Sequence, residues 1–305
     1  MANLDFIKLK QRVDELIRNG NAIAANDLLS TVKTTQLSKE DRPSFSALAR
    51  RLNQPELALK VLWKQVYGGN KASTEEVLEC ANALRVLGVS NQALKLLKNL
   101  PESYDSQKSI AFSHIHRWEY KEAANHLLNS LNFKDLTERQ TDLAKVNLAG
   151  CYVFGENYEQ AEKILFDLQK SELKDRNWLL WANTLELQSQ IQFSQGRLEE
   201  AQKLLNSIRS ESKNPVPFIK LFIDKWDLLI SLSKGDIYSK DKAITEFYKE
   251  IRSLGHWETL RHFDFHLANL TNETQLLNYV YFGTPYVQFR EKFSEKKKHL
   301  DSSFT

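Results

Sequence analysis

Glycine and proline are scarce in this sequence, ten and six residues out of 305, which excludes a protein built from many tight turns between strands. Leucine, alanine, lysine, glutamate, glutamine and asparagine are plentiful instead, and these favour helices. Cysteine is nearly missing too. Cys80 and Cys151 lie far apart in the chain and form no metal-ligand pair with a nearby histidine, so neither a disulfide scaffold nor a zinc module is expected. Reduced thiols in a cytoplasmic protein are the expectation. No run of about 18 apolar residues occurs, and Met1 to Lys10 carries charge where an export signal needs an apolar core. A membrane is not an expected partner. The 42 basic and 39 acidic side chains leave a net charge of only +3, too little for a long-range field that would gather nucleic acid. A Gly-rich phosphate loop, a Gly-x-Ser-x-Gly elbow and a His-Glu-x-x-His pair are all absent. No enzyme activity, catalytic residue or cofactor is therefore expected.

What is present is a rhythm. In Gly196 to Ile208 a helix-breaking glycine precedes an acidic helix start, then Ala201, Leu205 and Ile208 at four- and three-residue steps. That spacing puts the apolar residues on one face of a helix. Looser copies place small residues at Ala25, Ala58, Ala93, Ala123, Ala161 and Ala201, at intervals of 33, 35, 30, 38 and 40. Each alanine follows a first-helix pattern: Val13 and Leu16, Ala47, Leu48 and Leu52, Ala81 and Leu84, Ile110, Ala111 and Ile115, Ala149 and Tyr152, Leu185 and Ser189. Two helices approach closely only where their side chains are small, so alanine marks the crossing and leucines flank it. Variable spacing is tolerated when each hairpin touches mainly its neighbours.

The small residues of the second helices, together with Ala81, Ala111 and Ala149 in first helices, resemble the tetratricopeptide repeat (TPR) family, over roughly residues 1–210 and on to 255. The family's tryptophan near the start of the first helix is absent in register, and its closing proline is met only by the shifted Pro101. The resemblance implies an all-α fold, a right-handed solenoid of helical hairpins. Residues 1–255 are expected to hold six to seven hairpins, the seventh being a degenerate pair within 218–251. Residues 256–305 are expected to form an irregular, aromatic-rich C-terminal cap, with Tyr279 to Phe282 extended and a polar, Lys-rich end at Lys296 to Lys298.

The family's register implies a concave face carrying Lys10, Asp14, Arg50, Arg51, Asn82, Arg85, Lys108, Phe112, His116, Glu186 and Gln190. Its N-terminal half is basic. Guanidinium groups at recurrent positions suit bidentate contact with carboxylates or phosphates, so Lys10, Arg50, Arg51, Asn82, Arg85, Lys108, Phe112 and His116 are the candidate partner-binding residues. The chaperone-tail clamp of the family needs Lys and Asn pairs where this sequence has Lys10 with Asp14, Pro43 with Ala47 and Leu78 with Asn82, and is disfavoured. His256, His262, Asp264 and His266 form the best metal-like group. Packing is the preferred reading, because two imidazoles four apart still need a third ligand. Trp178 and Trp181 are expected to be buried rather than exposed. The function expected is a non-catalytic scaffold or adaptor that binds a protein segment carrying acidic groups. The alternative is a sensory module of a transcription regulator, although nucleic acid is disfavoured for this chain alone.

Overall fold

The computed structural model describes residues 5–18, 21–68, 71–211, 217–235, 241–254, 256–273 and 275–276. Among these the regular structure is all helical, with no strand. The extended segment expected at Tyr279 to Phe282 and the lysines at 296–298 lie outside the described residues. The chain divides into two compact units, Met1–His116 and Arg117–Thr305.

The first unit holds α1 (Phe6–Arg18), α2 (Ala22–Ser30), α3 (Asp41–Arg51), α4 (Pro55–Tyr67), α5 (Thr74–Val86), α6 (Ser90–Leu97) and α7 (Tyr104–His116), with a 3-10 turn at Thr34–Gln36. Its core gathers Val13, Leu29, Phe45, Leu48, Leu62, Ala81 and Leu97, all buried. The second unit holds α8 (Tyr120–Leu131), α9 (Glu138–Phe154), α10 (Tyr158–Lys170), a short α11 (Leu173–Arg176), α12 (Trp178–Ser194), α13 (Leu198–Glu211), α14 (Pro217–Ser233), α15 (Asp241–Ser253) and α16 (Trp257–Thr271). One of its core clusters centres on Leu165, Leu168, Leu173 and Ile191, another on Leu205, Ile208, Trp226, Leu229, Ile251 and Phe263. Trp178 and Trp181 are half-buried against the latter.

Short-range chemistry sets the helix starts. Ser73 accepts from the Glu76 amide at 3.2 Å while Glu76 accepts from the Ser73 amide at 2.8 Å, and Thr137 and Gln140 repeat the exchange at the start of α9. Such reciprocal caps satisfy two of the amides a helix leaves open, and losing the hydroxyl costs about 1 kcal/mol. Pro55 occupies the first turn of α4, where its missing N–H is harmless.

The six alanines of the repeat are all completely buried. Twelve residues before each stands the matching first-helix residue: Val13, Ser46, Ala81, Ala111, Ala149 and Ser189. The two serines show how tight the crossings are. Ser46 Oγ donates to the Ala58 carbonyl and Ser189 Oγ to the Ala201 carbonyl, both at 3.1 Å. A buried hydroxyl needs a partner, and the small alanine lets it reach the neighbouring backbone.

Five residues before the alanine, the five copies whose turn lies within the described residues pass through left-handed backbone. The residues are Asn53 (φ 58°), Gly88 (81°), Trp118 (57°), Glu156 (61°) and Gly196 (75°). Gly and Asn suit this conformation, but a bulky side chain there is an outlier. Trp118 and Glu156 are the exceptions; the Trp118 indole is buried, whereas Glu156 is exposed.

Candidate functional site

In the first unit, the predicted partner-binding residues come from α1, α3, α5 and α7. Arg50 directs Nε and Nη2 onto one oxygen of Glu79, at 3.2 and 3.0 Å. Asn82 reaches the other oxygen of Glu79 at 3.5 Å, one helical turn along α5. Arg51 lies 3.9 Å from Asp14. Lys108 bonds Asp105 at 2.5 Å and sits 4.9 Å over the Tyr104 ring. Lys10 is exposed. Arg85 places Nη1 2.7 Å from His116 Nε2 and its guanidinium carbon 5.6 Å from the centre of the Phe112 ring. Since arginine can only donate, this imidazole nitrogen accepts and the ring proton sits on Nδ1. The structure therefore joins Arg50 with Asn82 through Glu79, and Arg85 with Phe112 and His116. Glu79 is not among the residues expected from the sequence. Its signal is an acid on the first helix after an arginine-bearing one.

The second unit uses the same repeat positions differently. Gln190, like Asn82 and Phe112, stands eleven residues before its repeat alanine, and Glu186, like Lys108, stands fifteen before. The repeat register places Asn82 and Arg85 of the first unit and Glu186 and Gln190 of the second on an open face, but all four are buried, at 7%, 8%, 6% and 4% exposure. For Glu186 and Gln190 the covering element is α14, which packs on α12. Its Trp226 donates Nε1 to Glu186 Oε1 at 2.5 Å, and Gln190 donates to the same oxygen at 2.8 Å. Lys225 Nζ lies 3.5 Å from that oxygen and 4.5 Å over the Trp226 ring. Burial lowers the Lys225 ammonium from its usual range, and Glu186 opposes the shift. A buried pair of this kind holds together only because each charge meets the other and further hydrogen bonds complete the shell.

Beside this pair is a cavity of about 210 Å³. Its walls are largely aromatic: Trp118 and Tyr120 from the entry to α8, Phe154 and Tyr158 from the turn between α9 and α10, Trp226 from α14, and Phe265 from α16. Glu156, Gln190, Ser194, His262 and His266 supply the polar lining. Trp118 is fixed by an Nε1–H bond to Glu258 at 3.1 Å and by stacking on His262, centroids 4.7 Å apart. Glu258 also accepts from Arg261 at 2.9 Å. The His262 ring lies 4.9 Å from Phe154 and its Nε2 3.4 Å from the Tyr120 hydroxyl. Burial holds His262 well below its ordinary range, with Lys225, His266 and Arg261 adding repulsion. It is neutral at physiological pH. The Tyr120 hydroxyl is pushed well upward by burial, with the charge of Glu258 adding to it.

The four residues weighed as a metal set do not act together. Asp264 accepts from the Tyr248 hydroxyl at 2.6 Å, while His262 and His266 pack among aromatic rings. Among the described residues no three His, Cys, Asp or Glu side chains are placed to hold a metal. Cys80 and Cys151 are buried and free, and desolvation raises both thiols to about 12. Neither is a reactive thiolate near neutral pH.

Reading along the sequence misses this cavity because its residues are scattered over six helices. One trace is visible: aromatic residues stand three residues before both Ala123 and Ala161, as Tyr120 and Tyr158, where the Ala201 copy has Leu198.

No protein-family model matches this chain and no curated protein matches it. Among solved structures it is similar to a tetratricopeptide repeat protein from Parabacteroides merdae, with a TM-score of 0.55 and 18% identity, over 88% of this chain and 99% of that one. Among the described residues no helix is long and apolar enough to cross a membrane. Its fold is thus that of tetratricopeptide-repeat-like helical hairpins.

Proposed function

We propose that the chain is a non-catalytic adaptor that binds a protein segment carrying acidic groups on the first-helix face of its N-terminal unit. Lys10, Arg50, Arg51, Asn82, Arg85, Lys108, Phe112 and His116 are the residues assigned to that face, in a cytoplasmic protein. The fold supports the general part of this reading, because stacked hairpins present an extended surface and proteins built this way are interaction scaffolds.

The observation that carries the acidic preference is the exposure of two basic side chains on this face, Arg51 and Lys10. An exposed guanidinium can turn to meet a carboxylate with two parallel donors. Arg85 is buried, at 8% exposure, with Nη1 2.7 Å from His116 Nε2, and Glu79 takes two donors of Arg50. The acidic segment would draw chiefly on Arg51 and Lys10.

An array of acidic peptides, with neutral scrambles as controls, tests the assignment. The double variant Lys10→Glu, Arg51→Glu should lose about tenfold or more in affinity for the peptides that bind the native chain, the scale of a lost charged contact. Circular dichroism melts of the same variant check that it folds. Unchanged binding by a folded variant sinks the site.

A further inference from the structure

We propose that the aromatic cavity of the second unit is a binding site for a compact organic cation, an alkylammonium head group. The site is independent of the peptide face on the first unit.

Size sets the first limit. At about 210 Å³ the cavity exceeds the roughly 150 Å³ that accepts a benzene ring. It therefore suits a trimethylammonium group with a short tail.

The walls set the chemistry. Trp118, Tyr120, Phe154, Tyr158 and Trp226 surround the space, and the negative face of an aromatic ring attracts a cation, most of all on indole. Positive charge near the site is partly offset. His262 is neutral because burial and nearby cations disfavour its proton. Lys225 is matched by Glu186 and Arg261 by Glu258. Glu156 then adds a carboxylate at the exposed rim of the cavity. An anion would meet that carboxylate and the ring faces together. A neutral apolar ligand would gain nothing from it.

The test titrates the full chain with tetramethylammonium, with choline and with 3,3-dimethylbutan-1-ol, the neutral carbon isostere of choline, by calorimetry and tryptophan fluorescence. Choline should bind saturably and about tenfold or more tighter than the alcohol. Glu156→Gln, at an exposed rim position, should weaken choline about threefold and leave the alcohol unchanged. Tyr158→Leu should weaken choline about fivefold or more. A short peptide carrying trimethyl-lysine presents the same head group on a protein. Whichever of that peptide and choline binds tighter identifies the source. Alcohol binding as tight as choline, or no saturable binding by any of the cations, overturns the proposal.

Discussion

The two units build opposite surfaces from one repeat position. Lys108 and Glu186 both stand fifteen residues before their alanines. Lys108 is half-buried and meets Asp105 on its own helix, whereas Glu186 is buried under α14 and is held by Trp226, Gln190 and Lys225. The difference comes from the helices that succeed each position. The second unit continues into α14, whose Trp226 closes over the α12 face. A repeat position therefore fixes where a side chain starts, and the neighbouring hairpin fixes the dielectric it lives in. The same comparison explains the arginines of the first unit: their partners, Glu79 and Asp14, lie on adjacent first helices with water nearby, so these pairs order the side chains more than they stabilise the fold.

The largest effect that could break this contrast is removal of Lys225. Lys225→Met leaves Glu186 buried without its counter-charge and should destabilise the protein by about 3–5 kcal/mol. Arg50→Met, at a pair exposed by 21% and 17%, should cost about 1 kcal/mol. Urea midpoints of the two variants measure both, and equal losses would erase the distinction between the surfaces. Next in size is a crossing. Ala161 is completely buried, and Ala161→Leu should overpack it at a cost of about 1–3 kcal/mol. A thermal melt unchanged by that substitution would count against the repeat register.

A smaller effect concerns the turns. Gly88 and Gly196 have left-handed backbone, and an added Cβ would meet nothing within 4 Å at either. The cost of Gly88→Ala or Gly196→Ala is then conformational alone, about 1 kcal/mol in each unit. A marked difference between the two would show that the turns are not equivalent.

The smallest net effect is with pH, because two groups of the second unit oppose each other. His262 is depressed in the folded chain, so unfolding takes up a proton. Its contribution is present above about pH 6.5 and is lost as pH falls below that value. Burial raises Asp264 to about 6. The folded chain therefore keeps a proton there that an unfolded carboxyl releases, and stability grows as pH falls from about 6 to 4. Between about pH 7 and 6 the histidine dominates. His262→Gln should flatten the fall in melting temperature over that interval, and an unaltered fall would remove His262 as its cause.

Much of the fold is legible in the sequence because periodicity is a local property. Six alanines, a leucine four residues on and the glycines at turns report how one helix meets the next, and the chain needs only near neighbours to satisfy them. The candidate sites are legible in part. Arg50, Arg51 and Arg85 can be placed on a face by register, but register says nothing of Glu79, Asp14 or His116 as their partners. For Asn82, Arg85, Glu186 and Gln190 the register gives the right repeat position and the wrong environment, and for the last two the burial depends on α14.

The sequence by itself determined the helices, their pairing and the residues at each crossing, because these depend on spacing within some thirty residues. Tertiary structure alone decided the aromatic cavity. Trp118 and His262 are 144 positions apart and stack at 4.7 Å, and Glu186 and Trp226 share a buried hydrogen bond across 40. No local pattern encodes contacts over such distances. They exist because α16 packs against α14 and α15, carrying His262 and Phe265 to the turns of hairpins far earlier in the chain.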